Sequence, residues 1–133
     1  MTSAGPTIYL VDDDPSYLAA TSRFLRAAGY TLAAFSSPTE FLEILPSIGS
    51  GCLILDLQMP GLTGFDVQDA VAKQKNPLPI IFLTGQGEIQ DAVRAMRHGA
   101  EAFLGKHGSD EELLRAIERA LVRNAQERAR PRS

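Results

Sequence analysis

Hydrophobic residues in this chain come in five short unbroken runs, at residues 7–11, 31–35, 52–55, 79–83 and 102–104, drawn mainly from Val, Ile, Leu, Ala, Tyr and Phe. Runs of this length bounded by turn residues predict strands, and unbroken apolarity predicts burial on both faces. Such strands need helical cover, and the segments between them have the three- and four-residue spacing that supplies it. Pro15 suits the first position of a helix that Gly29 ends, with Leu18, Thr21, Phe24, Leu25 and Ala28 on one stripe. Ser37 and Glu40 have capping-box spacing ahead of Phe41, Leu42 and Leu45. Ser109 and Glu112 repeat that spacing ahead of Leu113, Leu114, Ile117 and Leu121. A short helix is expected over 64–72, burying Phe65, Val67 and Val71. Another is expected over 88–98, with Ile89, Val93 and Met96 as its apolar stripe and Gly99 just beyond its end. Strict alternation of strand and helix predicts an α/β fold, a doubly wound parallel sheet with right-handed crossovers and helices on both faces.

Length and charge narrow this picture. A chain of 133 residues is one domain with a core of its own, expected to occupy residues 7–122. Residues 1–6 are expected to be disordered, and the arginine-rich 123–133 to form a tail or the start of a linker. A net charge of −3 offers no general attraction to nucleic acid, so direct DNA binding by this segment is not expected. The one cysteine, Cys52, lies inside an apolar run and reads as a core residue. The chain opens without the basic start and apolar stretch of a secretory signal, and no apolar segment reaches the ~20 residues of a membrane span. A cytoplasmic protein is expected.

In doubly wound sheets, chemistry gathers beyond the carboxyl ends of the strands, so the residues after each run are the candidates. The first run ends in Asp12-Asp13-Asp14. Adjacent carboxylates repel unless a cation offsets them, and an oxygen-only site favours Mg²⁺; alternatively, the acids simply suit the start of the next helix. The third run ends in Asp56, followed by the tight loop Met59-Pro60-Gly61. The fourth ends in Thr84-Gly85, a hydroxyl and a residue permitting close backbone approach, and the fifth is followed by Lys106, a compact cation. Together these supply what phosphoryl transfer needs: a nucleophile, a metal site and donors for the phosphoryl oxygens.

With Asp12-Asp13, Asp56 followed by Met59-Pro60-Gly61, Thr84 and Lys106 in this order, the chain resembles the receiver domain of bacterial two-component response regulators. Thr84-Gly85-Gln86-Gly87, Ala92 to Met96 and Gly99-Ala100 resemble its FixJ branch, whose members usually carry a LuxR-type helix-turn-helix output domain. The resemblance implies a flavodoxin-like sheet of order 2-1-3-4-5 in which Asp56 takes a phosphoryl group from a sensor histidine kinase. It further implies Mg²⁺ held by Asp13, Asp56 and the backbone carbonyl of Gln58, with Asp12 acting through a water. Thr84 and Lys106 would hold phosphoryl oxygens, Thr84 and Phe103 would form the switch, and Gln58 and Gln86 would tune hydrolysis. The surface of the fourth helix, fifth strand and fifth helix would change on phosphorylation, with a homodimer through the fourth helix and fifth strand and transcription as the output. One departure is His107, where the family usually has a proline after a cis bond; a non-proline cis bond costs about 2.5–4 kcal/mol, so a trans Lys106–His107 peptide is expected, or a cis one strained for function. The alternative is a haloacid dehalogenase-like phosphatase, which would need a second acid where this chain has Gln58.

Overall fold

The computed structural model describes residues 5–130 and contains five strands and five helices in alternation. The strands are β1 (Thr7–Val11), β2 (Thr31–Phe35), β3 (Gly51–Asp56), β4 (Ile80–Thr84) and β5 (Ala102–Gly105). The helices are α1 (Pro15–Ala27), α2 (Pro38–Ile44), α3 (Gly64–Ala72), α4 (Ile89–Arg97) and α5 (Asp110–Ala129). All pairings are parallel, in the order β2-β1-β3-β4-β5. Burial on both faces holds along β3 and β4 and nearly all of β1. The edge strands β2 and β5 are only partly buried, with exposed positions at Thr31, Ala34 and Gly105.

Two apolar layers sandwich the sheet. One joins Phe41, Leu53, Leu55, Val67, Val71 and Phe82, and the other joins Leu10, Leu25, Ile54, Ile81, Leu113 and Ile117. Cys52 is fully buried in the second layer, and burial pushes its thiol up to about 12, consistent with a core residue. Phe65, expected inside, is half-buried, with the Arg94 guanidinium over its ring, 4.0 Å from the centroid. Asp14 caps α1, accepting from the amides of Ser16 and Tyr17.

Several local expectations are corrected. Ser37 accepts from the amide of Thr39 rather than forming a box with Glu40, and full boxes sit at Thr63 and Asp66 before α3 and at Glu88 and Asp91 before α4. The apolar stripe of α4 faces outward: Ile89, Val93 and Met96 are 85%, 44% and 47% exposed, and Ala95 is the helix's one buried residue. Helix α5 runs to Ala129, past the boundary expected at residue 122, because Asn124 is buried and accepts from the amide of Gly51 at 3.0 Å. Of the segment expected to be disordered, residues 1–4 lie outside the described residues, as do residues 131–133 of the expected tail. Among the described residues no helix is long and apolar enough to cross a membrane.

Candidate functional site

The acidic residues of β1 and β3 converge because those strands are hydrogen-bonded neighbours, with Val11 opposite Leu55 at the ends of the two runs. One carboxylate oxygen from each of Asp12, Asp13 and Asp56 lies within 4.8 Å of the others. Asp12 and Asp56 are buried, 1% and 5% exposed, whereas Asp13 is open to solvent. Such a cluster without a cation is costly. Lys106 supplies one positive charge: its Nζ lies 2.7 Å from Asp12 Oδ2 and 3.7 Å from Asp56 Oδ2. Asp12 Oδ1 accepts from the amide of Asp14, and the amide of Gln58 donates to Asp56 Oδ1 at 3.4 Å.

One lysine does not satisfy three acids. Burial, and then the charge of Asp12, raise the Asp56 carboxyl to about 7, against the opposing pull of Lys106. Burial alone would lower the pKa of Lys106, but Asp12 and Asp56 outweigh it and leave the ammonium raised. A second, harder cation would relieve the same repulsion, and the all-oxygen donor set fits a divalent metal.

Thr84 extends β4 one residue beyond Leu83, the register partner of Asp56. It is 4% exposed, and its Oγ1 is buried without a hydrogen-bond partner. A buried hydroxyl left unpaired is uncommon and points to a ligand atom it would meet in another state. Lys106 follows β5, its amide donating to the Thr84 carbonyl at 2.9 Å. The described residues contain no cis peptide, so the Lys106–His107 bond is trans as expected, and Lys106 still reaches the acids. His107 itself is exposed.

Phe103 is half-buried on β5, 6.1 Å from the ring of Phe82, which is in turn 5.9 Å from Phe65. Gly87 presses against this group: a Cβ there would come 2.5 Å from Thr84 Cγ2 and 2.9 Å from the Phe103 ring. Gly64 is held as tightly, its missing Cβ 2.9 Å from Phe82 and 3.0 Å from the Asp56 carbonyl. Gln58 and Gln86, expected to flank the site, are both exposed on the loops that bear them. Sequence reasoning did not single out the packing role of Gly87, nor Tyr17, whose ring centroid lies 4.6 Å from Lys106 Nζ. The glycine-bounded Thr84 to Gly87 segment was a signal for the first, while nothing local marked the second.

The chain is similar to proteins already described. Residues 8–118 match the family described as the response regulator receiver domain. The chain is 43% identical over 121 residues to the response regulator protein TmoT of Ectopseudomonas mendocina, covering 91% of this chain and 55% of that protein. To the transcriptional regulatory protein FixJ of Bradyrhizobium diazoefficiens it is 37% identical, covering 91% and 58%. The low-resolution structure of the response regulator StyR superimposes with a TM-score of 0.86 at 40% identity, covering 94% of this chain and 63% of that one. The chain thus spans little more than half the length of the curated relatives it matches. By that match and those likenesses the chain belongs to the response regulator receiver domains, the phosphoacceptor modules of two-component signalling, with FixJ-like relatives.

Proposed function

We propose that Asp56 is the phosphoacceptor of this receiver and that phosphorylation switches the α4–β5–α5 surface. The observation that carries this is the convergence of Asp12, Asp13 and Asp56 on one point, with Lys106 on the acids and the unpaired Thr84 hydroxyl at the end of the adjoining strand. A carboxylate oxygen of Asp56 forms a bond to phosphorus as the P–N bond to a sensor kinase imidazole breaks, the electron pair returning to the ring nitrogen. Lys106 and Thr84 take phosphoryl oxygens, which gives the orphan hydroxyl a partner and draws it toward Asp56. The void that leaves beside Gly87 is one the Phe103 ring can enter, coupling the site to β5. Asp13, Asp56 and the Gln58 carbonyl would hold Mg²⁺ directly, with Asp12 more remote because its Oδ2 already faces Lys106. Bound there, the ion would neutralise charge on the phosphoryl oxygens.

Gln58 and Gln86, both exposed on the loops that follow β3 and β4, would orient or obstruct a water and so set the rate of self-catalysed dephosphorylation. The outward Ile89, Val93 and Met96 suit an α4–β5 homodimer. The name of the transcriptional regulatory protein FixJ supports a transcriptional output, and the family supports a cognate sensor histidine kinase and a cytoplasmic location. The phosphatase alternative gains no support, since Gln58 stands where its acid would be needed and the family is that of a switch. The test is labelling by a small phosphodonor, or fluorescence change with beryllofluoride, in the presence of Mg²⁺. Wild type should respond and Asp56→Asn should not; equal labelling of the two would refute the assignment.

A further inference from the structure

The seat of Lys106 has an unusual wall. Its side chain is 12% exposed, and around the ammonium lie Asp12, Asp56 and the ring of Tyr17, whose centroid is at 4.6 Å. Tyr17 occupies the first turn of α1, immediately after the Asp14 cap, and is half-buried against the layer containing Leu83 and Leu113. A crevice of about 30 Å³ lined by Tyr17, Leu83, Leu104, Lys106 and Leu113 encloses the lysine's surroundings. The backbone gives less support. Beyond the amide of Lys106 and the turn from Gly105 to Gly108, the next residue is an exposed His107 in a trans peptide, with no ring to stiffen the loop.

We infer that Tyr17 is a positioning residue for Lys106, its ring holding the ammonium on the carboxylate side of the site where a phosphoryl oxygen on Asp56 would meet it. This rests on the proposed role of Asp56. An aromatic face attracts a cation and excludes water from it, and partial desolvation strengthens that attraction. Without the ring, the four-carbon stem of Lys106 regains rotamers that carry the charge into solvent, away from the transferring group. Phenylalanine preserves the face, whereas leucine of similar bulk removes it.

The experiment compares wild type, Tyr17→Phe, Tyr17→Leu and the folding control Leu25→Val, a buried site two turns further along α1. Proton NMR of the Lys106 ε-methylene reports its ring-current shift, independently of any reaction. Saturating phosphoramidate with Mg²⁺ reports the maximal rate of Asp56 phosphorylation and the half-saturating concentrations. Tyr17→Leu should lose the shift and about five- to tenfold in maximal rate, with half-saturation changed less than about twofold; Tyr17→Phe and Leu25→Val should keep both. An unchanged shift and rate in Tyr17→Leu would overturn the inference. So would a loss in Tyr17→Phe as large as in Tyr17→Leu, which would assign the role to the hydroxyl, or an equal rate loss in Leu25→Val. If wild type accepts no phosphoryl group, the assignment of Asp56 fails, while the NMR shift still decides whether the ring holds Lys106.

Discussion

Helices α4 and α5 lie next to β5 in the chain, yet they are fastened to the sheet in opposite ways. α5 is twenty residues long and buries Leu113, Ala116, Ile117, Ala120 and Asn124, and its Arg119 and Arg123 pair with Glu101 at the start of β5. α4 is nine residues long and buries Ala95 alone. Its remaining ties lie in its second half: Gln68 of α3 donates to the carbonyls of Ala95 and His98, and Arg94 lies over Phe65. Its first turn, which follows the Thr84 to Gly87 loop, has Ile89 almost fully in solvent. Low burial at one end and pinning at the other suit an element that pivots, whereas a helix sunk along its length stays put. The contrast therefore sets a lightly seated helix, suited to report on the site, beside a fixed support.

The largest test of that contrast is chemical. Beryllofluoride with Mg²⁺ should change amide exchange most in α4 and the β4–α4 loop and much less in α5, where only the face toward β5 responds, and Asp56→Asn should abolish the change altogether. Protection changing equally in both helices would erase the distinction. Next in size is packing: Ile117→Ala should cost about 2–5 kcal/mol in urea unfolding, whereas Val93→Ala on the outward face of α4 should stay within about 0.5 kcal/mol. A comparable cost for both would show that α4 is as firmly seated as α5.

A third test concerns the acids that drive the switch. The native Asp56 carboxyl keeps its proton until about pH 7, whereas the unfolded chain loses it near 3.8. Between those values the native state binds more protons, so metal-free stability should fall as pH rises from about 4 to 7 and level off above that. Asp56→Asn should flatten this slope and added Mg²⁺ should offset it; thermal melts across pH in chelator decide. The smallest effect is expected from Gly87→Ala. The added methyl crowds Thr84 and Phe103, costing about 1 kcal/mol and blocking the ring's inward path, so phosphorylation should persist while the exchange response of α4 shrinks.

What could be read before folding was whatever a strand carries with it. The runs in β1, β3 and β4 are unbroken because both faces are buried, and the acids, Thr84 and Lys106 follow strands directly, so topology alone delivers them to one edge. The outward turn of α4 was not legible. Ile89, Val93 and Met96 have the spacing of a buried stripe, and periodicity gives a face without saying what it meets. The end of α5 was missed for the converse reason: a charged stretch looks solvated, but one amide, Asn124, ties it to Gly51 from 73 residues away. Tyr17 and Gly87 matter through tertiary neighbours, Lys106 in one case and Thr84 with Phe103 in the other, and no local pattern announces such partners.

Cys52 turns the central strand into a clock. It is the chain's one cysteine, wholly enclosed on β3 between β1 and β4, with its thiol held protonated far above neutrality. A thiol reagent can reach it only after the middle of the sheet has come apart, so the pace of modification in native buffer counts whole-fold openings and ignores the motions of α4. Timed with and without a phosphoryl mimic, that one sulfur would report how much of the switching energy reaches the core.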